Sequence, residues 1–142
     1  MSTTTRFLAI VIAISQCGCG EELDRNGAVS SVSKLSVDAF ARSTEIQFGY
    51  LVDVTGCVRF KDGMWLLHTV DETCSYSERY EQVPVAMTAD LEKAFARKRL
   101  IECSFSPIIV RGSVGVAGAY PGYSIVDVRQ IKSLDGHICY RS

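Results

Sequence analysis

Between residues 49 and 70 the chain reads GYLVDVTGCVRFKDGMWLLHTV. Leu51, Val52, Val54, Val58 and Phe60 alternate loosely with Asp53, Thr55 and Arg59, the period of two that a half-buried strand shows. Met64, Trp65, Leu66 and Leu67 then run without a polar break, which suits a strand buried on both faces. Between them stands Lys61-Asp62-Gly63, and Asp-Gly flanked by apolar runs is a strong hairpin signal because Gly accepts positive φ. Gly56 in mid-strand predicts a bulge or a bend of the kind that curls a small sheet. The first strand is expected over 45–60 and the second over 64–70.

Further along, 81–87 reads EQVPVAM and predicts a short third strand, kept at an edge or irregular by Pro84, which has no N–H to donate. Residues 88–99 predict one helix. Thr88 is its N-cap, Asp90 and Glu92 sit at the positive end, and Arg97, Lys98 and Arg99 close the other. Leu91, Ala94 and Phe95 give it a narrow apolar stripe, enough to cover the end of a sheet. A fourth strand is expected over 100–116, interrupted by Pro107 and Gly112, and a fifth over 123–131, with Val126 and Val128 opposed to Asp127 and Arg129. A type II turn at Pro121-Gly122 precedes the fifth. A short helix at 36–41, capped by Ser36, comes before the sheet, and a tail at 133–142 follows it.

The N-terminus differs in kind. Arg6 precedes eight apolar residues, 7–14, and then Ser15-Gln16-Cys17-Gly18-Cys19-Gly20. A positive start, a short apolar core and a small-residue exit describe a secretory signal peptide over 1–20, and the run is too short to span a bilayer. Cys17 resembles the lipidated Cys of bacterial lipoproteins, with Gln16 where that pattern has Gly or Ala; Cys19 is the second candidate. The competing exit is ordinary cleavage after Ser15. Both routes export the chain, to the periplasm, to a membrane as an anchored lipoprotein, or into the medium. Residues 21–33 are polar and read as a flexible tether, leaving 34–142 as a single domain.

Export changes how the cysteines are read. In an oxidising compartment Cys57, Cys74, Cys103 and Cys139 form a two-bridge framework with three open connectivities, or fifteen if Cys17 and Cys19 join. Neither a zinc site nor a redox motif is spaced correctly here, so no metal and no cofactor is expected. The charges, 15 Lys plus Arg against 16 Asp plus Glu, are balanced, and a nucleic-acid partner would ordinarily need a basic excess.

Strand, strand, strand, helix, strand, strand is the order of the OB-fold, a five-stranded Greek-key barrel, with an open two-layer α+β sheet as the rival. With Val52-Asp53-Val54-Thr55-Gly56, Trp65-Leu66, Leu100-Ile101-Glu102, Ile108-Ile109-Val110-Arg111-Gly112 and 123–128, residues 45–131 resemble the small OB-like domains of exported bacterial proteins of unknown function. The resemblance implies a mainly β fold and names no activity.

The search for catalysis finds two histidines, His68 and His137, and no Gly-x-Ser-x-Gly elbow. His68 reads as a structural residue at a strand end. No P-loop exists around Gly112, Gly115 and Gly118, which lack the Lys and the following helix. What remains is a binding surface. Tyr76, Tyr80, Tyr120, Tyr123 and His68 are its candidates, as aromatic groups with polar tips, while Trp65 reads as core. The expected function is a non-enzymatic binding or structural module at the cell envelope. Its partners would be a membrane, through the lipid anchor, and a protein or small ligand. A small secreted inhibitor presenting loop 72–80, a small enzyme and a nucleic-acid-binding OB domain are the alternatives.

Overall fold

At the hairpin turn both central residues, Asp62 and Gly63, take positive φ of 52° and 78°, the geometry that matches the twist of the flanking strands. The structure is a computed structural model that describes residues 22–23, 29–30, 32–71, 73–117 and 122–142. Cys17, Cys19 and Tyr120, with the expected signal peptide and most of the expected tether, lie outside the described residues. In chain order the elements are β1 (Glu22–Leu23), β2 (Val29–Ser30), β3 (Ser33–Ser36), α1 (Val37–Arg42), β4 (Leu51–Lys61) and β5 (Met64–His68). Then come β6 (Gln82–Val85), α2 (Ala89–Phe95), α3 (Lys98–Ser104), β7 (Ile108–Gly115), β8 (Ser124–Ser133) and β9 (Ile138–Arg141).

The protein is mainly β, and five of its strands pair in a ring. β4 pairs β5, β5 pairs β6, β6 pairs β8, β8 pairs β7, and β7 returns to β4. All of these contacts are antiparallel except β6 with β8, which meet in parallel at Val85 and Ile125. That single parallel pair, extended by Ala86 N–H donating to the Ile125 carbonyl, leaves β6 close to an edge strand, where Pro84 forfeits little.

Gly56 is where β4 changes partners. Residues Leu51 to Gly56 pair with β7, and Cys57 to Lys61 pair with β5. A Cβ at Gly56 would stand 2.8 Å from Val37 Cγ2 and 3.0 Å from the His68 carbonyl oxygen, so the missing side chain lets α1 close onto the strand. β4 itself carries no bulge there and runs unbroken from Leu51 to Lys61. The irregularity lies in β8: opposite Arg111 and Ser113 its register skips from Gln130 to Val126, and Asp127 takes φ 52°. The skip breaks the expected alternation, so that the buried apolar positions are Ile125, Val128 and Ile131.

Several expected elements are corrected. The single helix over 88–99 is two short ones, because Arg97 adopts extended geometry (φ −88°, ψ 133°) between α2 and α3. Thr88 does cap α2, accepting from Leu91 N–H at 3.2 Å. The basic cluster therefore does not close a helix C-terminus; Arg97 is the N-cap of α3 and makes no side-chain capping bond. The fourth strand starts at Ile108 rather than Leu100, since residues 100–104 continue α3 and place Leu100 in the core. An apolar run such as Leu100-Ile101 fits either element by periodicity, and burial on a helix won. The first strand begins at Leu51, after a turn in which Gly49 takes φ 81°.

Two strands extend the ring. β3 runs parallel to β4, Ser33 beside Val52 through Ser36 beside Thr55, and leads into α1, whose Val37 and Phe40 are buried. Ser36 caps that helix as expected, accepting from Ala39 N–H at 3.1 Å. β9, within the expected tail, pairs the second half of β8. Cys103–Cys139 ties β9 to α3, and Cys57–Cys74 ties β4 to the loop after β5. Two disulfides in one small domain are consistent with an exported protein.

Candidate ligand groove

Trp65 and His68 belong to one strand and face opposite ways. Strand alternation puts Trp65 with Leu67, and Leu66 with His68. Across the antiparallel pairing, Trp65 meets Phe60, Leu66 meets Arg59, and His68 meets Cys57. Each face of β5 therefore carries its own cluster.

At the turn end of β5, beside Trp65, lies a groove of about 420 Å³. Gly63, Met64 and Trp65 form one bank and Val116 and Ala117 the other, with the end of β6 and the following Ala86 and Met87 between them. Its described lining carries no ionisable group. Trp65 is half-buried: its ring stacks on Phe95 of α2 with centroids 3.8 Å apart at 15°, and Phe60 tilts against it at 5.4 Å. The volume falls in the range of small-molecule sites, and an apolar lining of this kind recognises apolar ligand surface rather than charge.

On the His68 side the chain is closed. Residues 73–81 fold back over the face of β4 and β5 that carries Arg59 and His68, held by Cys57–Cys74, and Cys74 itself takes φ 52°. His68 is only 2% exposed. Tyr80 stacks on its ring at 6.1 Å and 12°, and Tyr76 meets it edge-on at 5.8 Å. Its Nδ1 lies 2.9 Å from the Thr69 carbonyl oxygen, which can only accept, so Nδ1 carries the proton. Next to it Arg59 lays its guanidinium 3.3 Å from the centre of the Tyr76 ring. Arg59 Nη1 is buried with no hydrogen-bond partner among the described residues, and the π face takes the place of one.

The tyrosine hydroxyls are also engaged. Tyr80 donates to Asp71 at 3.3 Å, and Tyr76 accepts from Gln82 Nε2 at 3.0 Å. Desolvation works to raise the Asp71 pKa. Backbone N–H groups of Thr73 and Ser75, with the Tyr80 and Thr73 hydroxyls, outweigh it and hold the carboxyl below its ordinary value. Desolvation, then the Asp71 charge and hydrogen bond, push the Tyr80 phenol up. Asp38 at the start of α1 accepts from the Thr69 hydroxyl at 3.1 Å and joins the loop to the helix.

Of the residues singled out in the sequence, then, His68, Tyr76 and Tyr80 come together under the folded-back loop. Tyr123 stands apart on the surface, its ring edge-on to Phe48 at 5.2 Å. Loop 72–80, with Glu72 outside the described residues, packs on the sheet through Tyr76 and Tyr80 and leaves Thr73, Ser75, Glu78 and Arg79 exposed. His137 is exposed beyond β8. Among the described residues no group of three or more His, Cys, Asp or Glu is placed to hold a metal. In the sequence Met64, Met87 and Val116 read only as strand residues and Ala117 carries no signal, so none of these groove-lining residues stands as a binding candidate. Nor does the sequence show the ion pair of Asp53 and Arg111, 2.7 and 2.9 Å apart through two contacts across β4 and β7 and largely buried. These two residues are 58 positions apart and only the strand register shows that they meet.

No family model matches the chain. No curated protein matches it at a significant level. Among solved structures it is similar to a chain described as a "putative aspartyl-tRNA synthetase" from Leishmania major Friedlin, at 14% identity and a TM-score of 0.38. That alignment covers 94% of this chain and 24% of the other, so this chain spans about a quarter of its length. At this TM-score the likeness carries no argument about fold or function.

Proposed function

We propose that this protein is an exported, envelope-associated binding module without catalysis, built on an OB-like barrel, that takes an uncharged apolar ligand in the groove between Met64 and Val116. The observation that carries this reading is where the groove lies. OB barrels bind ligands on the face of their second and third strands, between the loops joining strands one to two and four to five. In this ring those strands are β5 and β6; Gly63 belongs to the first of those loops, and Val116 and Ala117 open the second. The ring order, the parallel meeting of β6 with β8 and the helices between β6 and β7 support the OB-like assignment and the resemblance to small exported OB-like domains. The closed surroundings of His68 favour binding over chemistry.

The test uses the single tryptophan, which lines the groove. Titration with an uncharged naphthyl dye, N-phenyl-1-naphthylamine, is expected to change Trp65 emission saturably with one site per chain. Ala86→Phe, which fills the groove, is expected to abolish that change. Binding that is absent in the wild type, or undiminished in Ala86→Phe, would reject the groove as the site. The envelope part of the reading is tested by intact mass: an acylated chain beginning at Cys17 or Cys19 supports anchoring, and an unmodified chain beginning at Gln16 rejects it.

A further inference from the structure

Three methionines stand in the chain, and Met1 lies outside the described residues. Met64 opens β5 and Met87 follows β6. Because Trp65 pairs with Val85, the two come together at one end of this antiparallel pair, and both line the groove. Cys57, Cys74, Cys103 and Cys139 are all closed in disulfides. Among the described residues, then, every thiol or thioether sulfur still open to oxidation belongs to the groove's lining. The two methionines differ in access. Met64 is 36% exposed, while Met87 is half-buried and packs on the core. A thioether is soft, apolar and adaptable, which suits a groove that recognises apolar surface.

A sulfoxide is polar where the thioether is not, and a hydroperoxide converts one to the other in a single two-electron step. A sulfur lone pair attacks the outer peroxide oxygen, and the S–O bond forms as the O–O bond breaks. The departing oxygen takes up a proton and leaves as water or an alcohol. Sulfur is oxidised, the peroxide is reduced, and nothing else is consumed. The new oxygen is a strong acceptor in a place with little to offer it. Apart from Trp65, the rest of the described lining is Gly, Pro, Val and Ala, so the Trp65 indole N–H is its one side-chain donor. A sulfoxide turned into the groove therefore stays hydrated, and an apolar ligand that displaces its water leaves the oxygen unpaired. At Met87 the added oxygen also disturbs a side chain packed on the core.

We infer that Met64 and Met87 form an oxidation site that switches the groove off: a hydroperoxide turns them to sulfoxides, and the groove rejects apolar ligands until the sulfoxides are reduced. The inference rests on the groove reading above, and the experiment separates the two. The folded chain, with both disulfides formed, is treated with hydrogen peroxide, and fragment masses locate the added oxygen. One oxygen at Met64 is expected first and a second at Met87 later. Once both are oxidised, titration with N-phenyl-1-naphthylamine is expected to show binding at least about tenfold weaker. Methionine sulfoxide reductase is expected to restore it. Met64→Leu with Met87→Leu keeps the side-chain volume and removes both sulfurs, and is expected to bind the dye alike before and after peroxide. Met64→Leu alone is expected to keep its binding through the exposure at which wild type takes up its first oxygen. Unchanged dye binding by the doubly oxidised protein overturns the inference. So does an equal loss in the double Leu variant, which would place the damage elsewhere, or oxygen uptake confined to other residues. A dye that fails to bind the untreated protein rejects the groove itself, a result obtained before any peroxide is added.

Discussion

Trp65 and His68 are three positions apart in β5, yet one lines an open apolar groove and the other is sealed beneath a disulfide-tied loop. The difference arises from what each neighbouring segment can bury. After His68 the chain carries Tyr76, Tyr80 and Cys74, and these fold back to cover His68 and Arg59 with rings, a cation–π contact and a covalent tie. Ahead of Trp65 a two-residue turn leaves no such loop to fold back, and the Trp ring packs on Phe95 and Phe60 at the edge of the core. One strand thereby holds a rigid layer at one end and a receptive surface at the other.

The largest test of this contrast removes the tie. The Cys57–Cys74 bridge closes a loop of 17 positions, and losing a constraint of that size costs about 3 kcal/mol. Cys57→Ala with Cys74→Ala is expected to lower the thermal midpoint by roughly 10 °C and to open loop 71–80 to trypsin at Arg79. The matched change at the other end, Phe60→Ser, removes a 61% exposed ring and is expected to alter stability by no more than about 0.5 kcal/mol. Equal losses in circular-dichroism melts of the two variants would dissolve the distinction between a structural end and a receptive one.

A smaller effect is expected at the junction that supports the closed layer. Gly56→Ala puts a methyl group 2.8 Å from Val37 Cγ2, 3.0 Å from the His68 carbonyl oxygen and 3.2 Å from Leu67 Cβ. Overpacking of this kind costs about 1–3 kcal/mol. Urea titration would measure it, and a midpoint equal to wild type would mean that α1 is free to move away from β4.

Parts of this division were readable beforehand, and the parts that were not have a common cause. The hairpin turn and the caps at Ser36 and Thr88 depend on residues next to one another, so local chemistry declares them. The break at Arg97 that splits the helix, and the register skip at Asp127, follow from how the segments pack around the ring, which no window of neighbours contains. The site behaves in the same way. Tyr76 and Tyr80 carry polar tips in a polar loop, the pattern of a contact surface, until a bridge to Cys57 turns them inward. Trp65, in an apolar run, has the pattern of core, and it does pack against the core, half-buried, while also lining the groove beside the short turn.

The smallest test asks whether the closed layer has an electrostatic latch. Asp71 accepts from Thr73 N–H at 3.0 Å, Ser75 N–H at 2.9 Å and the Tyr80 hydroxyl at 3.3 Å. These bonds favour the carboxylate and hold its folded-state pKa below the ordinary carboxylate value. A depressed folded pKa contributes stability that is fully present above the unfolded pKa, about 3.9 for Asp, and is lost as pH falls through the lowered folded value. Tyr80 has the opposite sense: its raised folded pKa favours the neutral phenol, so its contribution is present below the ordinary Tyr range and disappears as pH rises through the raised value. Asp71→Asn keeps an acceptor and removes the charge. Wild type is therefore expected to be the more stable at neutral pH, and the gap between their urea midpoints is expected to shrink once the pH drops below the ordinary carboxylate range. A gap independent of pH down to 2 would show that Asp71 acts through shape alone, leaving the disulfide and the aromatic rings to hold the His68 end shut.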